Sequence, residues 1–219
     1  SIWDFHFTMN PYDGTKMTFI KKQLVAAEEL FGKFDNVEEF VKKSMAVHAE
    51  FAKAEVEYHR SRKGSCSAAM FWMFSDIWPC GTWSLVDYHM KPKAAYFAAK
   101  RAFRKVTPLI VQTQKGIRAY IVNDTMKAAS GDITVIQMDV HGNTISKKKI
   151  GNICMEANSK KEVYDFTGFI QDKADSFLTV QFNTATENTN TIFFHRMWKD
   201  INWPDPDITA EIKKVRKTE

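Results

Sequence analysis

Cysteine is scarce in this chain: Cys66, Cys80 and Cys154 are the three present, and no C-x-x-C pair occurs. An odd, widely spaced set excludes a disulfide framework and the usual zinc ribbons and fingers. The six histidines, His6, His48, His59, His89, His141 and His195, lack H-x-x-x-H spacing, so neither a metal nor any other cofactor is expected. Glycine and proline number nine and six, too few for a fibrous or low-complexity chain. No apolar run is long enough to span a bilayer and no signal-peptide pattern is visible, so a soluble protein without a membrane partner is expected, with cytoplasm and secretion both open.

Charge of one sign is also lacking. The formal net charge is +5, and the basic residues are spread out apart from Lys147-Lys148-Lys149 and the KKVRK run at 213–217. No nucleic-acid module accompanies those runs, so they read as solvated faces and no nucleic-acid partner is expected.

What is present falls into two textures. In residues 36–63, Val37, Phe40, Val41, Ser44, Val47, Phe51 and Ala54 recur at three- and four-residue steps, which predicts a helix. Asp35 or Asn36 can cap its start, and basic residues from His59 to Lys63 followed by Gly64 suit its end. The run CSAAMFWMF, residues 66–74, has no polar face and predicts a strand buried on both sides, as in a parallel sheet. Residues 92–104 predict a further helix, with Pro92 near its first turn.

Beyond Pro108 come short Val-, Ile-, Thr- and Phe-rich runs: LIVQTQ, IRAYIVN, DITVIQMDV, EVYDFTGF, SFLTVQF and TIFFHRMW. Turn residues such as His141-Gly142-Asn143 separate them, which predicts an antiparallel sandwich. The expected division is therefore 1–105, α/β, and 106–219, all-β. The first part poses a problem, because a central parallel strand needs neighbours on both edges and only one convincing strand is visible before residue 106. It reads as the last piece of a larger α/β unit whose other strands lie upstream of Ser1.

The ordered series Trp72, Asp76-Ile77-Trp78-Pro79, Trp83-Ser84, Asp87-Tyr88 and Pro92-Lys93 resembles the eighth strand, following loop and final helix of the catalytic barrel in glycoside hydrolases of family two, in the β-mannosidase branch. The segment HRMWKDINWPDPDITAEI, residues 195–212, resembles the closing strand and tail of the immunoglobulin-like domain that follows that barrel, where a Lys-Asp-Leu-x-Leu-Pro-Asp-Pro pattern recurs. The resemblance implies the C-terminal part of a TIM (β/α)₈ barrel followed by an Ig-like antiparallel β-sandwich. It implies a retaining exo-β-glycosidase acting on β-linked oligosaccharides, with two catalytic glutamates about 5 Å apart.

Both glutamates would precede Ser1, so no catalytic residue is expected in this chain, which alone would be inactive. Its barrel piece would need the missing N-terminal part of the same protein, or self-association. Glu28, Glu29, Glu38, Glu39, Glu50, Glu55 and Glu57 all fall in helical segments and read as surface charge. The substrate-binding candidates are Trp72, Asp76 and Trp78. By the resemblance Trp72 is an apolar wall of the sugar subsite; from the residues alone it reads as a core aromatic in preference to a sugar platform. Asp76 binds a sugar hydroxyl or fixes the loop backbone, and Trp78 shapes the pocket rim or pins the loop. Trp83, Asp87, Tyr88, Pro92 and Lys93 read as structural. Ser75 stands where the β-mannosidase pattern usually has Asn, so an exo-β-glucosaminidase or another family-two β-glycosidase is the alternative enzyme. A noncatalytic carbohydrate-binding or interaction module is the alternative of another class.

Overall fold

The computed structural model describes residues 18–173, 175–205, 208, 209 and 211. Part of the 195–212 tail and the whole KKVRK run lie outside them.

Helices dominate the first part: α1 (Thr18–Phe31), α2 (Val37–Ser61) and α3 (Ala94–Ala102). Asn36 caps α2, its side-chain oxygen accepting the Glu39 N–H at 2.9 Å. Gly64 follows the end of α2 with a φ of +96°, a left-handed conformation that glycine adopts without a Cβ penalty. The face α2 buries shares only Phe40, among its buried residues, with the stripe its periodicity suggests. Val37, Val41 and Phe51 are exposed, while Ala52, Val56, Glu57 and Arg60 are buried. The alanines of α3, Ala95, Ala98, Ala99 and Ala102, form a small-residue stripe, and Ala95 and Ala99 share a core with Ala52 of α2, Leu85 and Val86.

The predicted buried strand at 66–74 is corrected. The segment is irregular, with bends at Trp72 and Phe74, and forms no ladder; isolated bridges pair Cys66 with Lys63, and Ser75 with Val86. Alternate residues Met70, Trp72 and Phe74 are exposed, whereas Phe71 packs towards α3 and sets its ring against Phe103 at 6.3 Å. The apolar run is long enough for a two-faced strand, but the described residues supply no neighbouring strand, so only one face finds a cover. No part of a TIM barrel is visible among the described residues.

The second part is all-β, with seven strands: β1 (Val106–Thr113), β2 (Gly116–Asn123), β3 (Ala129–Asp139), β4 (Thr144–Met155), β5 (Ser159–Asp165), β6 (Ser176–Thr184) and β7 (Asn188–Phe193). They form antiparallel sheets ordered β1-β2-β5 and β4-β3-β6-β7, an arrangement that fits an Ig-like domain. Ile110, Ala119 and Ile121 of one sheet meet Ile133, Val135, Leu178, Val180 and Phe182 of the other in a single core. Gly131 of β3 faces β6 with no room for a side chain: a Cβ there would stand 2.4 Å from the Asn183 carbonyl oxygen.

Strand β4 is absent from the sequence expectation. Lys147, Lys148 and Lys149 disguise it, and all three are exposed on this edge strand, where charge discourages pairing with another chain. A register shift opposite Ile133 and Thr134, with Gly151 at φ +97°, further breaks its alternation. The run TIFFHRMW is strand only to Phe193; Trp198–Asp200 is a 3₁₀ turn.

Helix α2 is joined to the sandwich by polar contacts. Arg60 Nη2 and Lys63 Nζ both reach Asp124, at 2.7 and 2.6 Å, and Lys160 Nζ donates to the Ser61 carbonyl at 2.6 Å. Glu57, expected at the surface, is buried at this junction. Its Oε1 accepts the Thr191 hydroxyl of β7 at 2.7 Å, and its Oε2 accepts the Ile110 N–H of β1 at 3.4 Å. Lys53, one turn earlier, completes the set at 3.2 Å. The carboxylate thus bridges edge strands of both sheets and takes up a backbone donor that β1 leaves without a strand neighbour.

Candidate functional site

The loop from Ser75 to Lys93 is built around Asp76. Backbone bonds frame it: Asp76 N–H donates to the Val86 carbonyl at 3.0 Å, Val86 N–H to Phe74 at 2.8 Å, and Lys93 N–H to Leu85 at 2.9 Å. Inside that frame the Asp76 side chain is 1% exposed. Its Oδ2 meets Lys93 Nζ at 2.9 Å, and its Oδ1 accepts the Thr82 hydroxyl. Lys93 Nζ also donates to the Ser84 hydroxyl at 2.7 Å and to the Thr82 carbonyl at 3.1 Å.

Burial alone would push the Asp76 carboxyl up, but hydrogen bonds from Thr82, Lys93 and Ser84 more than offset it and hold the group below its ordinary range. Asp76 is therefore an ionised anchor. Both oxygens are engaged by the loop, and Lys93 is the cation that neutralises it. Nearby, burial and then the Asp76 charge push the Cys80 thiol up.

Trp72 lies on the other side of this arrangement and is 82% exposed. Trp78 is half-buried, and Trp83, midway along the loop, is exposed. The structure thus joins Trp72, Asp76 and Trp78 in one segment while separating their surroundings: an exposed indole, a sealed carboxylate and a partly covered second indole.

A cleft of about 700 Å³ opens beside the loop, between it and helices α1 and α2. Phe40, Val41, Met45 and Phe51 of α2 line it together with Trp83 and Pro92, and Thr82 and Lys93 reach it from the loop. Neither Trp72, Asp76 nor Trp78 lines this cleft. His48, on the α2 wall, is the group that sequence reasoning passed over. Burial pushes its imidazole down, Lys93 adds to that effect, and a hydrogen bond with the Trp83 backbone opposes it. Its position one residue from Val47 on the apolar stripe is the signal that could have placed it. Among the described residues no group of three or more His, Cys, Asp or Glu side chains is placed to hold a metal ion.

The arrangement offers exposed aromatic rings and a loop closed by backbone bonds and the Asp76–Lys93 pair. Comparison with known proteins puts it in context. Residues 115–200 match the Mannosidase Ig/CBM-like domain family. Over 245 residues, covering 100% of this chain and 27% of the relative, the sequence is 22% identical to β-mannosidase B of Emericella nidulans. The chain thus spans about a quarter of the length of such curated relatives.

The crystal structure of a β-D-mannosidase from Dictyoglomus thermophilum superimposes with a TM-score of 0.77 and 25% identity, over 84% of this chain and 23% of that one. The exo-β-D-glucosaminidase CsxA of Amycolatopsis orientalis shares the fold, with a TM-score of 0.71 at 19% identity over 86% of this chain and 22% of its own. An Ig-like sheet pair with a family match, helices and loop continuous with it, and similarity along the whole chain agree: residues 115–200 match the Mannosidase Ig/CBM-like domain family, and the chain resembles the C-terminal portion of β-mannosidase-like glycoside hydrolases.

Proposed function

We propose that the chain is the C-terminal portion of a retaining exo-β-glycosidase, a β-mannosidase that releases terminal β-D-mannose from oligosaccharides or glycoconjugates. Residues 1–105 complete its (β/α)₈ barrel and residues 106–219 form the appended sandwich. The observation that carries this reading is Trp72, 82% exposed four residues before the buried Asp76, which Lys93 pairs. An indole held open by a rigid loop presents a flat apolar wall to the C–H face of a pyranose, and the sugar's hydroxyls find polar partners elsewhere.

The exposed faces of 70–74 and of α2 support the same reading. Met70, Trp72 and Phe74 on one, and Val37, Val41 and Phe51 on the other, are surfaces that upstream barrel elements of the same protein would cover. Self-association is the alternative cover. In the proposed enzyme both glutamates come from upstream: one donates a proton to the leaving oxygen, and the other forms the glycosyl intermediate, about 5 Å away. Asp76 fixes the loop that carries Trp78, and Trp78 shapes the rim.

The exo-β-glucosaminidase reading rests on Ser75, which replaces the Asn of the β-mannosidase pattern. A panel of nitrophenyl β-glycosides tested on the full-length parent separates the two, with the mannoside expected to be the best substrate. A mannoside that is the poorest substrate refutes the β-mannosidase reading. Trp72→Ala in that parent should lower kcat/KM by about 1–3 kcal/mol in transition-state terms while leaving thermal unfolding of the sandwich unchanged. The 219-residue chain alone should hydrolyse none of the panel.

A further inference from the structure

The junction of α2 with segment 66–74 holds a thiol and an imidazole in contact. Cys66 Sγ lies 3.5 Å from His59 Nδ1 and 3.4 Å from the Ala68 carbonyl oxygen. The pair borders a cavity of about 140 Å³, lined also by Arg60, Lys63 and Asp124. Lys63 and Arg60 share the single carboxylate of Asp124, leaving the mouth net positive. Arg60 is 8% exposed, and its buried Nε has no hydrogen-bond partner among the described residues, so the cavity wall carries a spare donor.

We propose that Cys66 is a thiol-exchange site for small disulfides that carry carboxylates, with His59 as its base. His59 takes the thiol proton as the sulfur attacks one sulfur of the incoming disulfide. That S–S bond breaks, a new one forms between Cys66 and the attached half, and the departing thiolate takes the proton from His59. The disulfide is the oxidant and no other co-reactant is needed. A base in contact with a nucleophile is the arrangement such activation requires. The imidazolium formed in passing lies in the last turn of α2, where the carbonyl ends favour positive charge. Lys63 and the spare Arg60 donor attract the carboxylates of the reagent.

The other thiols provide the controls. Cys154 is exposed on β4, with no base hydrogen-bonded to it among the described residues, and Cys80 sits against the Asp76 carboxylate. Exposure alone ranks Cys154 first; the proposed site ranks Cys66 first.

The test is reaction of the 219-residue chain with limiting dithionitrobenzoate, a dianionic disulfide, and with oxidised glutathione, with each cysteine followed by peptide mapping. Cys66 should be modified ahead of Cys154 by both. His59→Gln should slow Cys66 by roughly tenfold or more and leave Cys154 unchanged. A neutral hydroxyethyl disulfide, used on the unsubstituted chain, should lower the ratio of Cys66 to Cys154 modification. Modification of Cys154 first, an unchanged Cys66 rate in His59→Gln, or equal ratios for neutral and anionic reagents would each overturn the assignment.

Discussion

Replacing Glu57 by alanine removes a side chain that bonds α2 to both sheets. The Ile110 N–H and the Thr191 hydroxyl would lose their acceptor in a buried setting. Each such stranded donor costs about 1–3 kcal/mol. Lys53 keeps 22% of its side chain exposed and can turn to water, so losing its ion pair adds little. Relief of the carboxylate's own desolvation returns part of the cost. The net loss should be about 3 kcal/mol, or about 6–12 °C in Tm for a chain of this length.

Differential scanning calorimetry with urea titration measures this loss. The pH dependence adds an independent check. Burial pushes the Glu57 carboxyl up from its ordinary 4.5, against the pull of Lys53 and the hydrogen bonds from Thr191 and Ile110. The folded protein therefore holds that proton more tightly than the unfolded chain. This contribution to stability is complete below pH 4.5 and fades as pH rises through the folded value.

Glu57→Gln cannot ionise, so its stability relative to the unsubstituted chain should improve as pH rises above 4.5. Glu50, raised by burial and also by the Glu57 charge, is relieved of that charge in Glu57→Gln, so its response adds to the improvement in the same direction. A Glu57→Ala loss below about 0.5 kcal/mol, the range of ordinary surface substitutions, would refute the claim that this carboxylate bridges the two sheets. Identical pH profiles for Glu57→Gln and the unsubstituted chain would refute the protonation argument.

Two further outcomes follow from the geometry. Lys93→Met leaves the Asp76 carboxylate buried without its cation and should cost about 3–5 kcal/mol, with faster hydrogen exchange at the Asp76 and Val86 amides; unchanged exchange would show that the loop is held by other contacts. Gly131→Ala puts a methyl 2.4 Å from the Asn183 oxygen and 2.9 Å from the Phe182 ring, and should cost about 3 kcal/mol in urea unfolding, whereas a loss under about 0.5 kcal/mol would mean that β3 and β6 can separate freely.

How much was legible in the sequence varied with how local the cause was. The cap at Asn36 and the left-handed Gly64 were legible because each depends on a few neighbouring residues. The strands with regular apolar spacing, such as β2, β3 and β6, were legible from their pattern. Strand β4 was not, because an edge strand carrying three consecutive lysines and a glycine at a register shift has no clean period of two. In the candidate site, the order of Trp72, Asp76, Trp78 and Lys93 could be read from the chain, but the role of each could not. Only folding brought Lys93 back across the loop to seal Asp76.

By itself, then, the sequence determined where α2 starts, that the second part is antiparallel β, and which aromatic segment is set apart from the rest. Tertiary structure decided which face each element uses. The stripe at Val37, Val41 and Phe51 is apolar yet exposed, and Glu57 is charged yet buried. The physical reason is that periodicity records which faces can be buried, whereas burial depends on what arrives to cover them. Glu57 could enter the interior only because Thr191, Ile110 and Lys53, up to 134 residues away along the chain, converge on its two oxygens.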